Sequence, residues 1–155
     1  AWAELVRARR LGYLALLRNV RNILTHAPEV VDALCAQLAD AAAVRRARVF
    51  PFQFLRAVQV LKAGNLPGAD RALAAIDTAV DHALAHVPAF DGRTLVALDS
   101  SGSMIGRPQE IGALFAAVLV KATGADLMVF SDDARYLTLN RRDSTLTAAA
   151  SIPFV

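Results

Sequence analysis

The sequence predicts two joined folds: an all-helical segment over residues 1–90, then the first part of an α/β domain over residues 91–155. Three observations carry this. Apolar side chains recur at three- and four-residue steps up to Val87, then give way to short continuous apolar runs. Charge changes at the same place, from 11 Lys+Arg against 7 Asp+Glu in residues 1–90 to 6 against 7 in residues 91–155. The composition, 55% hydrophobic and 20% charged, is that of packed globular chain and excludes a disordered tail. Residues 111–120 form the longest nearly apolar stretch, far short of the roughly 20 residues a membrane span needs.

The first helix is expected where Tyr13, Leu16, Leu17, Val20 and Leu24 form one apolar stripe, with Arg18, Arg21, Asn22 and Thr25 on another face. Pro28 opens a second as a first-turn proline, with Val31, Leu34, Cys35 and Leu38 inward. Arg45, Arg46 and Arg48 lie at its end or in the next loop. Pro51 opens a third, with Phe52, Leu55, Val58 and Leu61 inward, and Gly64-Asn65 stops it. Pro67 starts a fourth, carrying Leu73, Ile76, Val80, Leu84 and Val87. Four helices of about 10–20 residues with short loops close into a bundle or stack as an α-solenoid of degenerate HEAT type. A solenoid of two helical pairs would be too short to stand alone. The chain opens Ala-Trp-Ala and reads as an internal piece of a longer protein.

From Arg93 the period differs. Residues 94–98 form a continuous apolar run, the mark of a strand buried on both faces. A Ser/Gly turn follows, then a helix with Ile111, Leu114, Phe115, Val118 and Leu119 on one side. Residues 126–130 make a second strand, parallel to the first, because a helix connects them. Asp132-Asp133 turns the chain into an antiparallel third strand over residues 134–139. Asp143 or Ser144 caps a last helix through Ala150.

The chemistry lies in Asp99-Ser100-Ser101-Gly102-Ser103, a D-x-S-x-S pattern at the C-terminal tip of a strand, where open α/β sheets bind ligands. Alternate residues turn the same way, so Asp99, Ser101 and Ser103 can face one point. One carboxylate and two hydroxyls are hard oxygen donors, suited to Mg²⁺ and also to Mn²⁺ or Ca²⁺. A cation held by few charged groups stays electrophilic and can accept an acidic ligand. The loop is not a phosphate-binding Gly-Lys-Ser/Thr loop, and residues 91–155 contain no His to serve a nucleophilic serine. Nor is a general base near the loop in sequence, so a non-enzymatic role is expected.

The stretch LVALDSSGSM, followed by VLVKATGADLMVFSDD, resembles the start of a von Willebrand factor A domain, and D-x-S-x-S the first element of its metal-ion-dependent adhesion site. Together with GYLALLRNVRNIL at 12–24 and FPFQFLRAVQVLKAG at 50–64, it resembles the Ro/TROVE-module ribonucleoproteins, particularly bacterial ones. That resemblance implies a ring of HEAT-like helices, of which residues 1–90 are the C-terminal part, and an A domain beginning in residues 91–155. It implies binding of small noncoding Y RNA-like molecules and the 3′ ends of misfolded RNA in RNA quality control, with an exoribonuclease as partner. It also implies further metal ligands, a Thr in a later loop and an Asp after a later strand; Thr145 and Thr147 do not stand at the equivalent place. Weak or no metal binding by these residues alone is therefore expected.

RNA contact is expected at Arg18 and Arg21 first, and at Arg45, Arg46 and Arg48, since guanidinium forks pair with phosphates. Aromatic residues are only 6% of the chain, so contact through phosphates, shape and unpaired ends is expected rather than base stacking. His82 and His86, four apart on a helix, have no Cys or Glu nearby to complete a metal site. The single Cys35 excludes an internal disulfide and fits a reducing, cytoplasmic setting. The competing function is an A-domain protein-interaction module on a helical scaffold, with no RNA role.

Overall fold

The computed structural model describes residues 1–154; Val155, the end of the second expected domain, lies outside the described residues. The chain forms two compact units, Ala1–His86 and Val87–Val155.

The first unit is wholly helical: α1 (Trp2–Arg7), α2 (Tyr13–Arg18), α3 (Val20–His26), α4 (Val31–Leu38), α5 (Ala41–Ala47), α6 (Leu55–Ala63) and α7 (Ala69–Ala83), with 3-10 turns at Pro28–Val30, Pro51–Phe54 and Leu84–His86. Its core is made of Val6, Leu16, Leu17, Val20, Ile23, Leu24, Leu34, Leu38, Phe54, Leu61, Ile76 and Val80, all at most 3% exposed. The alanine-rich side of α7 lies on α4, α5 and α6. Small side chains there let helix axes approach closely. Gly68 works the same way at the start of α7. Its φ is +80°, and a Cβ would lie 2.8 Å from Val31 Cγ2.

The helices are shorter and more numerous than the apolar stripes imply. The first stripe is broken at Asn19 (φ −105°, ψ 10°), where the backbone N–H is shared between the Ala15 and Leu16 carbonyls and the side-chain Nδ2 donates to Ala15 O at 2.8 Å. A side-chain amide that satisfies backbone groups locally competes with the helical ladder. The second is broken at Asp40, whose Oδ1 accepts from the Ala42 and Ala43 N–H groups at 2.9 and 3.3 Å and so starts α5. The third opens as a 3-10 turn, which turns Phe54 into the core in place of the expected Phe52. Helix α1 precedes the first expected helix and is tied to α4 by Gln37 Nε2, which donates to Val6 O at 2.8 Å. Tyr13 Oη donates to Leu38 O at 2.5 Å, and its ring meets Phe54 edge-on, with centroids 6.2 Å apart.

The second unit contains β1 (Leu95–Asp99), α8 (Arg107–Thr123), β2 (Asp126–Phe130), β3 (Ala134–Leu137) and α9 (Thr145–Ala150). The sheet order is β1-β2-β3. Strands β1 and β2 run parallel in the register Leu95↔Asp126 to Asp99↔Phe130. Strands β2 and β3 are antiparallel from Leu127↔Leu137 to Phe130↔Ala134, joined through the expected turn, in which Ser131 N–H donates to Asp133 O at 2.9 Å. β3 stops at Leu137, two residues short of the expected end, although Leu139 is still buried. Ser144 caps α9, accepting from Thr147 N–H at 3.2 Å.

The strands are not buried on both faces. Leu98, Leu127 and Val129 pack with Ala113, Ala116, Ala117 and Val120 of α8 and Ala148 of α9. The alternate positions leave Leu95 49%, Phe130 37% and Tyr136 72% exposed. Both helices cover the same side, and strand side chains alternate between sides, so continuous hydrophobicity meets a helix at every second residue only.

Candidate functional site

Two constellations hold Asp99, Ser101 and Ser103 on the one hand and Arg18 and Arg21 on the other. The first is the loop after β1. Ser100 carries the β1–β2 ladder one step further, its N–H and Oγ both donating to Phe130 O at 2.8 and 3.1 Å. With Ser100 buried and pinned, its neighbours turn the other way. Ser101 N–H donates to Asp99 Oδ1 at 2.9 Å, and the Ser101 and Ser103 hydroxyls lie 3.0 Å apart. A 3-10 turn over Gly102–Met104 closes the loop, with Met104 N–H donating to Ser101 O at 3.0 Å. Gly112 brings α8 against the end of β1; a Cβ there would stand 2.9 Å from Leu98 Cδ1.

The Ser101 backbone N–H, and then its hydroxyl, hold the Asp99 carboxyl below its usual range, so it is ionised at neutral pH. One carboxylate beside two hydroxyl oxygens is a donor set that fits a hard divalent cation, with Asp99, Ser101 and Ser103 as the residues that would hold it. Thr145 is fully buried in α9, and the Thr147 hydroxyl accepts from Ser144 Oγ at 2.9 Å, so neither belongs to the loop. Among the described residues no group of three or more His, Cys, Asp or Glu is gathered to hold a metal. His86 Nδ1 is 2.7 Å from Val49 O, and among the described residues no group of three ligands forms around His82 and His86. Cys35 is half-buried, and burial pushes its thiol up, away from the reactive thiolate.

The second constellation is a groove where α2 and α3 face α6. Arg18, Arg21 and Asn22 line it from one side and Gln53 and Arg56 from the other, with Leu17, Val20, Ala57, Val60 and Leu61 between. Arg18 and Arg21 are thus brought together, although the break at Asn19 puts them on separate helices, α2 and α3. The other three arginines are elsewhere. Arg46 lines a different depression with Arg9 and Asp40. Arg45 lies in the last turn of α5, and Arg48 caps that helix in the left-handed conformation (φ 52°, ψ 42°); neither lines either groove. The five candidates therefore do not form one site. Arg56 was missed. Its only signal in the sequence is a cation on the outer face of the amphipathic α6, which also carries Gln59 and Lys62, and which groove it borders depends on how α6 meets α3.

Residues 1–99 match the TROVE domain family. The chain belongs to that family. The TROVE match contains the whole arginine groove and ends at Asp99, so Ser101 and Ser103 lie beyond it. The crystal structure of the Deinococcus radiodurans Ro (RSR) protein is similar to this TROVE chain, with 26% identity and a TM-score of 0.78 over 96% of this chain and 34% of that one. The chain thus spans about a third of the length of that protein. No curated protein matches. No helix among the described residues is long and apolar enough to cross a membrane.

Proposed function

We propose that this chain is part of a noncoding-RNA-binding ribonucleoprotein. In this reading the helical unit binds Y RNA-like molecules and the 3′ ends of misfolded RNA in cytoplasmic RNA quality control, alongside an exoribonuclease. The α/β unit is the start of a von Willebrand factor A domain, whose loop takes Mg²⁺ and, through it, an acidic ligand. No catalytic role is assigned. The observation that carries the RNA reading is the meeting of Arg18 and Arg21 in one groove within the TROVE-matched residues. Each guanidinium that neutralises a phosphate releases a condensed counterion, so affinity should fall with salt. Replacing both by Ala should weaken RNA binding in a gel shift by roughly tenfold or more and flatten its salt dependence. Unchanged affinity and slope would remove these arginines from the interface.

The convergence of Asp99, Ser101 and Ser103 favours a second reading, in which the protein works only as a metal-dependent interaction module. Asp99→Ala separates the two. In the complete protein it should abolish divalent-ion binding by calorimetry and leave RNA affinity nearly unchanged. A collapse of RNA binding with the fold intact would mean that loop and RNA surface are coupled.

A further inference from the structure

We propose that the groove between α2–α3 and α6 is a site for an unpaired phosphodiester segment, with Arg56 as a phosphate-binding residue acting from the wall opposite Arg18 and Arg21. This rests on the RNA reading above, which already expects unpaired ends as ligand, and adds to it Arg56 and the wall of the groove from which it acts. Three guanidinium groups line the groove and no carboxylate does. Among the described residues, none of the three takes part in an ion pair, whereas Arg71 and Arg93 are each paired with an aspartate. Three like charges along one depression repel each other unless a polyanion lies between them.

The groove also offers what a duplex cannot use. Gln53 Oε1 accepts from Phe50 N–H at 2.8 Å, which leaves its Nε2 as a donor. Asn22 Nδ2 donates to Asn19 Oδ1 at 3.2 Å, which leaves its own Oδ1 as an acceptor. A donor and an acceptor beside the apolar Ala57 and Val60 match the edge and face of a nucleobase. In an A-form helix those edges are occupied by pairing and those faces by stacking, so only an unpaired nucleotide can present them together with its phosphates.

The test is fluorescence anisotropy on the full chain with a 5′-labelled oligouridine, alone and annealed to oligoadenosine. The single strand should bind more tightly than the duplex. Arg56→Ala should lower single-strand affinity about tenfold and reduce the slope of log K against log salt by about 0.7, the share of one phosphate contact on a single strand. Lys62→Ala removes the same charge from a part of α6 that does not line the groove and should leave affinity and slope nearly unchanged. Arg56→Lys, which keeps the charge, should restore the slope and shows that Arg56→Ala acts through charge rather than folding. Equal losses for Arg56→Ala and Lys62→Ala, or a duplex bound as tightly as the single strand, would overturn the site while RNA binding stands. Absence of binding to either RNA by the unaltered chain would overturn the RNA reading and the site together.

Discussion

The two units hold their polar residues in opposite ways. In the α/β unit the candidate ligands stand within five consecutive positions, 99–103, and backbone hydrogen bonds set their geometry: Ser100 to Phe130, Ser101 to Asp99, Met104 to Ser101. In the helical unit Arg18, Arg21 and Arg56 come from separate helices, and packing of Leu17, Val20 and Leu61 beneath them sets their separation. A hydrogen-bonded loop is specified by its own residues. A groove between helices is specified by everything that holds those helices apart. The first should survive damage to the surrounding core that the second does not.

The largest test of that contrast is Phe54→Ala. Phe54 is fully buried against Tyr13, and its truncation leaves a cavity that should cost about 3–5 kcal/mol. Urea unfolding followed by circular dichroism measures the loss. Phe54 adjoins α6, so RNA affinity should fall as well, although no groove residue has changed. Affinity that persists at native level would show that the groove does not depend on its core.

Gly112→Val is the counterpart in the α/β unit. Its Cβ would meet Leu98 Cδ1 at 2.9 Å, push α8 off β1 and destabilise the unit by about 1–3 kcal/mol. The Ser101 amide should nevertheless keep its protection in hydrogen exchange, because its acceptor, Asp99 Oδ1, is two residues away in the same loop. Lost protection under native conditions would mean that the loop is held by α8 and not by itself.

Tyr13→Phe should have the smallest effect. It removes the hydrogen bond to Leu38 O, worth about 1 kcal/mol at neutral pH. Burial, and then the charge of Asp40, push the phenol of Tyr13 above its ordinary value of 10.0. A folded-state value raised in this way contributes in full below the unfolded value and is lost as pH rises beyond it. The parent should therefore lose stability above about pH 10, and Tyr13→Phe should lose less over the same range. A series of unfolding midpoints from pH 7 to 11 reads both effects; parallel curves would show that Tyr13 is not the titrating group.

Part of this was legible in the residues alone. The change of apolar period near residue 90, a first strand within a residue of the observed Leu95–Asp99, the parallel strand β2 beside it, the antiparallel β3 beside β2 and the D-x-S-x-S turn all follow from spacing over a few positions, where steric and hydrogen-bonding preferences act. The breaks at Asn19 and Asp40 were not legible, because the apolar stripe runs on through both and the interruption is made by one side chain bonding its own backbone. Nor was the open side of β1 and β2, since Leu95 and Phe130 are as apolar as residues that a helix covers. Arg56 belongs with these. Periodicity places it on the outside of α6, but its neighbours are on helices far away in the chain. Contacts of that kind depend on how helices pack, and packing is decided by the shape of the whole core.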